Sequence, residues 1–350
     1  MATSDYLIVG HGIAGALLGY FLEQEGARCL YLDAPQQKAA TQVAAGIINP
    51  ITGRRFVKSW RGDDLIPFAE ATYRQLEQEL DIHFYHERPL IRTLFNRGEE
   101  NHWAARMLED AYEAYYQHPP RLGVIPNITQ EAFAYLEVTQ TAQVSIGKLT
   151  AALQRQREQA GTFLAQQFQP EQLLVGEDYV EYGEHRAKTI IFCEGWRGRF
   201  NPWFNHLPFG GNKGEVLLVR LPQAKLEQMF KHRVFIVPFE DDLYWIGSTS
   251  DNKFTDEAPN PDNRIYLENR LREVLTTPFE IVDHRAAVRP TVKDRRPFLG
   301  HHPQYAPLAI FNGLGTKGAS LAPFWARHLV EHLVHGKPLD PIVDIARFSN

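Results

Sequence analysis

The sequence of 350 residues contains little cysteine, no long apolar run and no charged tail. Its two cysteines, Cys29 and Cys193, form no Cys-x-x-Cys pair, so neither a zinc site nor a disulfide framework is predicted. No apolar run reaches the roughly 18 residues of a membrane-spanning helix, so no membrane span is predicted. A formal net charge of −5 without a basic tail argues against a dedicated nucleic-acid binder.

The remaining composition is that of a globular protein, with 44% apolar and 23% charged residues. The length is sufficient for two domains. A predicted strand begins at Tyr6, so no signal peptide is expected ahead of it, and low cysteine use fits a reducing compartment. We therefore expect a cytoplasmic protein.

Residues 5–33 follow a strand–helix–strand pattern around the loop Gly10-His11-Gly12-Ile13-Ala14-Gly15. In such a loop the first glycine allows a tight turn, the second lets the backbone approach a pyrophosphate, and the third lets helix and strand pack closely. The pyrophosphate lies at the helix N-terminus, where free N–H groups favour an anion. Asp33 ends the second strand and is predicted to bind a ribose hydroxyl. The alternative is a chance turn with Asp33 as a helix cap or surface charge, and the motif does not separate FAD from NAD.

A second glycine-rich turn follows the predicted strand 308–311 and leads into a predicted helix over 319–335. Backbone amides at this helix N-terminus would stabilise negative charge, such as that on the N1/O2 edge of a reduced flavin. The alternative is an ordinary turn with a solvated lysine. The predicted cofactor-binding residues are Gly313, Gly315, Thr316, Lys317 and Gly318, and Lys317 is also a candidate catalytic residue.

A third motif runs from Arg285 to Gly300 and reads Arg-Ala-Ala-Val-Arg-Pro-Thr-Val-Lys-Asp-Arg-Arg-Pro-Phe-Leu-Gly. This order, followed by the glycine-rich loop and helix, resembles the D-amino-acid oxidase family of flavoproteins, which includes glycine oxidase and sarcosine oxidase. The resemblance covers nearly the whole chain. It includes residues 5–33, the small-residue segment Val43-Ala44-Ala45-Gly46-Ile47, the strand that ends in Gly195-Trp196, and a central hairpin near Val237-Pro238.

The resemblance implies FAD as the cofactor, with Ala44, Ala45 and Gly46 against the flavin ring and Gly195 and Trp196 also in contact with FAD. It implies that Arg289 binds the substrate carboxylate, because a guanidinium can form two parallel hydrogen bonds with it. A structural ion pair is the alternative role of Arg289. Family members with covalent FAD use a cysteine near this arginine, and none stands there, so we expect non-covalent FAD.

The predicted fold is α/β: a Rossmann-like FAD-binding domain with a parallel sheet and helices, plus a mostly antiparallel α+β substrate domain. The FAD-binding domain is predicted to comprise residues 1–80, 141–210 and 291–350, and the substrate domain residues 81–140 and 211–290. The pattern also predicts a helix from Asp63 to Leu80, a helix over 145–161 and strands near 215–219, 233–237 and 243–247. A proline-marked loop is predicted over 259–262.

The predicted activity is that of an FAD-dependent amine or amino-acid oxidase or dehydrogenase. It would oxidise a C–N bond of an amino acid or N-substituted amine by hydride transfer to flavin N5. The expected partners are a small amine or amino-acid substrate and an electron acceptor, either O2 or another oxidant. The sequence leaves the substrate and the oligomeric state open.

Two features favour other activities. Several amino-acid oxidases carry a tyrosine three residues before the hairpin proline, and this chain has Phe235, which cannot donate a hydrogen bond. A flavin-binding protein without catalysis is therefore one alternative. The basic segment Gly53–Arg61 could bind an anionic substrate, which keeps open a tRNA-modification oxidoreductase acting on a modified uridine; solvated surface is its plainer interpretation. An NAD-dependent dehydrogenase would explain residues 5–33 but not the second glycine-rich turn.

Overall fold

A computed structural model describes residues 2–34, 39–121, 123–125, 128–240 and 242–348. The chain divides into two compact units. The first unit comprises Met1–Gln42, Ile146–Asn212 and Val288–Asn350, and the second comprises Val43–Ser145 and Lys213–Ala287. Each unit is therefore assembled from separate stretches of the sequence.

The helices of the described residues are α1 Ile13–Gln24, α2 Ala40–Val43, α3 Gly62–Leu80, α4 Arg97–Met107, α5 Ile146–Gln159, α6 Pro261–Arg272 and α7 Gly318–His335. The strands are β1 Ala2–Val9, β2 Cys29–Asp33, β3 Ile47–Ile48, β4 Ile51–Thr52, β5 Val57–Lys58, β6 Tyr85–Glu87, β7 Leu90–Leu94, β8 Tyr116–Gln117, β9 Ala134–Val138, β10 Ala142–Val144, β11 Phe163–Ala165, β12 Leu173–Val175, β13 Val180–Tyr182, β14 His185–Phe192, β15 Phe209–Arg220, β16 Met229–Lys231, β17 Phe235–Pro238, β18 Leu243–Gly247, β19 Glu280–Val292, β20 Phe298–His301 and β21 Leu308–Asn312. None of these helices is long and apolar enough to cross a membrane, as far as the described residues go.

The first unit is built on a mainly parallel sheet. Strands β11, β2, β1, β14 and β21 run parallel to their neighbours in that order, and β12, β13 and β20 add antiparallel pairs. Apolar residues alternate along β1, where Leu7 and Val9 enter one core cluster and Ile8 faces α1. Helix α1 packs against α5 and α7. The parallel strands with packed helices confirm the α/β pattern that the sequence predicts for residues 5–33 and 308–335.

The second unit contains an eight-stranded sheet in the order β19-β15-β18-β17-β16-β7-β9-β8. Most neighbouring strands of this sheet run antiparallel, and β7 and β16 are assigned as a parallel pair. One face packs against buried residues of the segment 45–56, and the other packs against apolar residues of α6. This sheet confirms the predicted mostly antiparallel architecture.

The long elements agree with the sequence pattern, and one helix differs from it. Helix α6 begins at Pro261, where a loop is predicted, because Asn260 caps it and proline suits a first helical turn. Residues 39–61 form α2 and the short strands β3 to β5. The first stretch of the first unit ends at Gln42, whereas the FAD-binding domain is predicted to extend to residue 80, and the predicted domain bounds stay a prediction.

The earlier boundary has a packing reason. Ala45, Ile51 and Phe56 are buried in the same cluster as Trp103 and Leu218 of the second unit. The other boundaries between the two units follow residues 145, 212 and 287. That the first unit is the one that binds FAD stays a prediction.

Candidate active site

Most of the predicted site residues follow the carboxyl ends of adjacent parallel strands. Strands β2, β1, β14 and β21 lie side by side in this order. Gly10 follows β1, Asp33 ends β2, Gly195 and Trp196 come shortly after β14, and the loop 313–318 follows β21. The carboxyl edge of an open parallel sheet is where such folds bind their ligands. The first unit therefore gathers at one edge three segments that lie far apart in the sequence.

The glycine loop requires its first and third glycines for different reasons. Gly10 has φ of +95°, a conformation that residues with a side chain rarely adopt. A β-carbon placed on Gly15 would lie 1.9 Å from the carbonyl oxygen of Gly10, so helix α1 can approach the strand only with glycine there. Gly12 is the N-cap of α1, and its side-chain position is 3.0 Å from the hydroxyl of Thr41.

Part of the hydrogen-bonding capacity of the loop is already used. Asp33 accepts the His11 N–H at 2.9 Å, and the Thr41 hydroxyl accepts the Ile13 N–H at 3.2 Å. Among the described residues, the N–H groups of Gly12, Ala14 and Gly15 have no acceptor. These are the backbone groups that a helix start presents to an anion.

Asp33 is partly buried, and burial raises the pKa of its carboxyl group despite hydrogen bonds from the His11 and Ala34 amides. Its position at the end of β2 differs from that of a surface charge. The hydrogen bond from His11 fixes the carboxylate against the glycine loop.

A buried cation that no sequence pattern predicts lies behind the glycine loop. Arg157 of α5 is 3% exposed, and its guanidinium lies 2.6 Å from Nε2 of His11. It also donates to the Ala16 carbonyl at 3.0 Å and pairs with Glu23 at 3.1 Å. Burial, with the charge of Arg157, lowers the pKa of His11 to about 3, so this histidine is neutral near pH 7. The network ties α5 to the loop and to α1.

Glu194 is a partly buried acid that sequence reasoning did not assign to the site. It follows β14, and the Asn201 side-chain amide donates to its carboxylate at 2.8 Å. Burial raises the pKa of Glu194 to about 7. Its α-carbon would lie 3.3 Å from a β-carbon on Gly10, so Glu194 adjoins the glycine loop.

Asn312 connects the turn after β14 with the glycine-rich loop after β21. It is 2% exposed, donates to the Gly195 carbonyl at 3.0 Å and accepts the Gly313 N–H at 2.7 Å. Gly195 and Gly313 have φ of +58° and +78°, which favours glycine at both positions. Trp196 lies in the short 3-10 turn after Gly195, where the Arg199 guanidinium lies over its ring.

The glycine-rich turn before α7 is held by the Arg-Pro motif. The Gly315 N–H donates to the Pro290 carbonyl at 3.0 Å, and a β-carbon on Gly318 would lie 3.3 Å from Ile13 at the start of α1. Thr316 comes before Lys317, the N-cap residue of α7. Burial lowers the pKa of Lys317, and the charges of Arg295 and Arg296 lower it further.

Arg289 lies in β19, directly before Pro290. Its guanidinium donates to the side-chain oxygen of Asn212. Burial is the cause that lowers the pKa of Arg289. The Asn212 side chain is thus one of the groups that orient the Arg289 guanidinium, and the carboxylate-binding role of Arg289 stays a prediction.

The predicted residues Ala44, Ala45 and Gly46 belong to the second unit. Gly46 has φ of +72°, and a β-carbon there would lie 1.8 Å from the carbonyl oxygen of Val144. The indole N–H of Trp245 donates to the Val43 carbonyl at 2.7 Å. The small residues are therefore held by strands β10 and β18 of the second unit, and their predicted contact with the flavin ring stays a prediction.

The first unit fits an FAD pyrophosphate in its chemistry. Three backbone amides at the start of α1 have no acceptor among the described residues, and glycine occupies the positions where a side chain would collide. Gly12, Ala14 and Gly15 would hold the pyrophosphate, and Asp33 the ribose. The start of α7, with its glycines and Lys317, would hold the anionic edge of the flavin.

Comparisons with known proteins show the family of the chain. The family described as FAD dependent oxidoreductase matches residues 5–332. The chain is 26% identical over 374 residues to the bifunctional protein ThiO/ThiG of Trichormus variabilis, with 99% of this chain covered but only 55% of that protein. It thus spans about half the length of that relative. Glycine oxidase of Pseudomonas aeruginosa is 24% identical, with 98% of this chain and 97% of the enzyme covered.

The fold has a close counterpart among solved structures. Glycine oxidase from Geobacillus kaustophilus superimposes with a TM-score of 0.79 at 21% identity, with 97% of each chain covered. The likeness confirms the predicted fold class, a Rossmann-like FAD domain plus a substrate domain. Because the family match extends over almost the whole chain, the protein belongs to the FAD dependent oxidoreductase family (DAO) and is an enzyme that uses FAD as its cofactor.

Proposed function

We propose that this enzyme oxidises a C–N bond of an amino acid or an N-substituted amine. The observation that carries the proposal is the Arg289 guanidinium, which is partly withdrawn from solvent and donates to the side-chain oxygen of Asn212. A desolvated cation of this kind binds a carboxylate by charge-assisted hydrogen bonds. Relatives of full length include an enzyme named glycine oxidase, which supports an amino-acid substrate.

The residues around Arg289 are proposed to position the substrate and not to transfer a proton to or from it. The Pro290 carbonyl accepts the Gly315 N–H, so the carboxylate-binding strand and the start of α7 are linked through the backbone. FAD held by the glycine loops after β1 and β21 would supply flavin N5 as the acceptor of a hydride from the substrate carbon. Lys317, at the start of α7, is proposed to stabilise negative charge there, although its lowered pKa also reflects two nearby arginines.

The basic segment argues against the tRNA-modification alternative. Of its cations, Lys58 pairs with Asp63 at 2.7 Å and Arg61 pairs with Asp64 at 3.1 Å. Ion pairing within the protein leaves less charge for a phosphate backbone. Binding of tRNA that weakens steeply as salt is added would revive this alternative.

The first test is the visible spectrum of the purified protein before and after denaturation, followed by an anaerobic screen. Yellow protein that releases free flavin is the expected result for non-covalent FAD. Amino acids and N-substituted amines are then added without oxygen, and bleaching of the flavin band identifies a substrate. A screen in which no carboxylate-bearing amine bleaches the flavin contradicts the proposed function.

Arg289→Ala is expected to retain FAD and to lose substrate affinity by about 2–5 kcal/mol, because one partner of a buried charge pair is removed. Arg285→Ala is the matched control, since Arg285 lies in the same strand and pairs with the partly exposed Asp283 at 2.6 Å. The substrate concentration that half-reduces the flavin is measured for each variant. Unchanged reduction of a carboxylate substrate by Arg289→Ala would show that the assignment is wrong.

A further inference from the structure

The guanidinium of Arg157 contacts the glycine loop of the first unit on both of its sides. One guanidinium nitrogen lies 2.6 Å from Nε2 of His11, and another donates to the Ala16 carbonyl at 3.0 Å. Residues 11 and 16 flank the three loop amides for which the described residues supply no acceptor. Arg157 therefore braces the loop on either side of the amides that would hold the FAD pyrophosphate.

The His11 side chain is closely packed between this arginine and two aromatic rings. It is 4% exposed, and its ring makes edge-to-face contacts with Tyr31 and Phe163 at centre distances of 5.6 and 5.4 Å. The backbone N–H of His11 donates to Asp33 at 2.9 Å. Because Asp33 is the predicted ribose acceptor, the placement of His11 affects this carboxylate as well as the loop amides.

The contact with Arg157 also determines where the proton of His11 lies. An arginine donates hydrogen bonds and cannot accept them, so Nε2 of His11 is the acceptor and the neutral imidazole carries its proton on Nδ1. Burial, with the charge of Arg157, lowers the pKa of His11 to about 3, which keeps the ring neutral. No other residue in the described part of the chain accepts a hydrogen bond from Nδ1. The tautomer of His11 is therefore a marker of the Arg157 contact.

The charge of Arg157 is compensated, so the arginine is better suited to hold a geometry than to attract a phosphate. Its guanidinium pairs with Glu23 at 3.1 Å and lies 3.9 Å from the ring centre of Tyr31. The Tyr31 hydroxyl donates to the same Glu23 carboxylate. Charge-assisted hydrogen bonds of a planar guanidinium fix its orientation. Helix α1 and strand β2 thus hold the brace in place before any cofactor binds.

We propose that Arg157 is a positioning residue for FAD, which acts through His11 to preorganise the glycine loop. A loop that is already held in its binding conformation loses less conformational freedom when the pyrophosphate binds, and its affinity is higher for that reason. The proposal concerns the cofactor site of the first unit alone and is independent of the identity of the substrate.

The first test compares Arg157→Met with Arg155→Met by fluorescence titration of the FAD-free chain with FAD. Methionine keeps an unbranched apolar stem but cannot donate a hydrogen bond. Arg155 lies in the same helix, α5, and is exposed, so it is the matched control. Arg157→Met is expected to raise the FAD Kd roughly 10- to 100-fold, the value of one charge-assisted hydrogen bond. Arg155→Met is expected to bind FAD like the natural protein.

A double-mutant cycle with His11→Ala separates positioning through His11 from a general loss of structure. If Arg157 acts through His11, the two losses overlap, and the double variant binds FAD about as weakly as the weaker single variant. Arg157→Lys keeps a cation opposite Glu23 but lacks the planar fork, so it is expected to show a smaller loss than Arg157→Met. If Arg157→Met fails to fold, the same cycle is measured with Arg157→Lys.

Nitrogen NMR of the histidine side chains supplies a readout that a folding defect elsewhere does not mimic. The His11 signals are identified by their absence in His11→Ala. In the natural protein and in Arg155→Met the proton is expected on Nδ1, whereas in Arg157→Met it is no longer confined to that atom.

Three results would overturn the proposal. The first is natural FAD affinity in both Arg157 variants. The second is a double variant in which the losses multiply, since Arg157 would then act independently of His11. The third is a His11 proton that lies on Nε2 in the natural protein, because the guanidinium could not then donate to that atom.

Discussion

Replacing Gly15 with alanine is expected to separate helix α1 from the glycine loop and so to weaken FAD binding. The new β-carbon would lie 1.9 Å from the Gly10 carbonyl oxygen and 3.2 Å from the Ile8 side chain. Non-bonded carbon and oxygen atoms need about 3.5 Å, so the loop and the helix must move apart by more than about 1 Å. The carbonyl is backbone and cannot rotate away as a flexible side chain could.

The cost follows from the size of the collision. Overpacking by one methyl group in a close-packed region costs about 1–3 kcal/mol, and a loss of this size in binding free energy weakens affinity about 5- to 150-fold. Gly147 is the matched control because it also lies in the first turn of a helix, α5, with nothing within 4 Å of its β-carbon position. Gly147→Ala is expected to stabilise the protein by about 0.5–1 kcal/mol through higher helix propensity.

The assay is titration of FAD-free protein with FAD, followed by the change in flavin fluorescence, alongside urea unfolding of each variant. The expected pattern is weaker FAD binding in Gly15→Ala and natural affinity in Gly147→Ala. FAD affinity in Gly15→Ala equal to that of the natural protein would refute the close-packing argument. An equal loss in both variants would refute it too, because it would reflect a general effect of alanine.

Three further predictions concern the acids of the carboxyl edge and the small-residue segment. The pKa of Glu194 is raised from 4.5 to about 7, so the folded protein binds more protons than the unfolded chain between these pH values. The free energy of unfolding therefore falls by at most about 3 kcal/mol as the pH rises through this range. In urea unfolding of FAD-free protein, Glu194→Gln should remove this decrease, and an unchanged decrease would contradict the prediction. Asp33→Asn should weaken FAD binding roughly 10- to 100-fold in the same fluorescence titration, because a charged acceptor is lost; natural affinity would count against its ribose role. Trp245→Phe removes the hydrogen bond to the Val43 carbonyl and should lower the free energy of unfolding by about 1–3 kcal/mol, whereas a neutral substitution would mean that water replaces the indole.

The local parts of the structure could be predicted from the sequence because they depend on short-range patterns. The turn at Gly10 and the close packing at Gly15 follow from the spacing of the glycines, and α3 and α7 follow from their apolar periodicity. Helix α6 was missed because only Leu267 and Leu271 of its residues are buried, so the apolar pattern is weak. Its start was marked by Asn260 and Pro261, which also mark loops.

The long-range parts could not be predicted because no local pattern encodes them. His11 and Arg157 meet although 146 positions separate them, and Arg92 and Lys231 become neighbours through the pairing of β7 with β16. The same reason explains the boundary at Gln42: the burial of Ala45 and Phe56 depends on the core that they join. Arg289 was identified through its motif, but its partner Asn212 was not.

The position of β21 has a consequence for the synthesis of the chain. Residues Ile190, Ile191 and Phe192 of β14 pair with β1 on one side and with Leu308–Ile310 of β21 on the other. Proteins begin to fold from their N-terminus while the ribosome is still extending them. More than a hundred residues, including the rest of the second unit, therefore emerge while this central strand has one open edge. An open apolar edge invites pairing with other chains. The segment that contains β21 thus closes that edge and delivers the second glycine-rich loop at the same stage of synthesis.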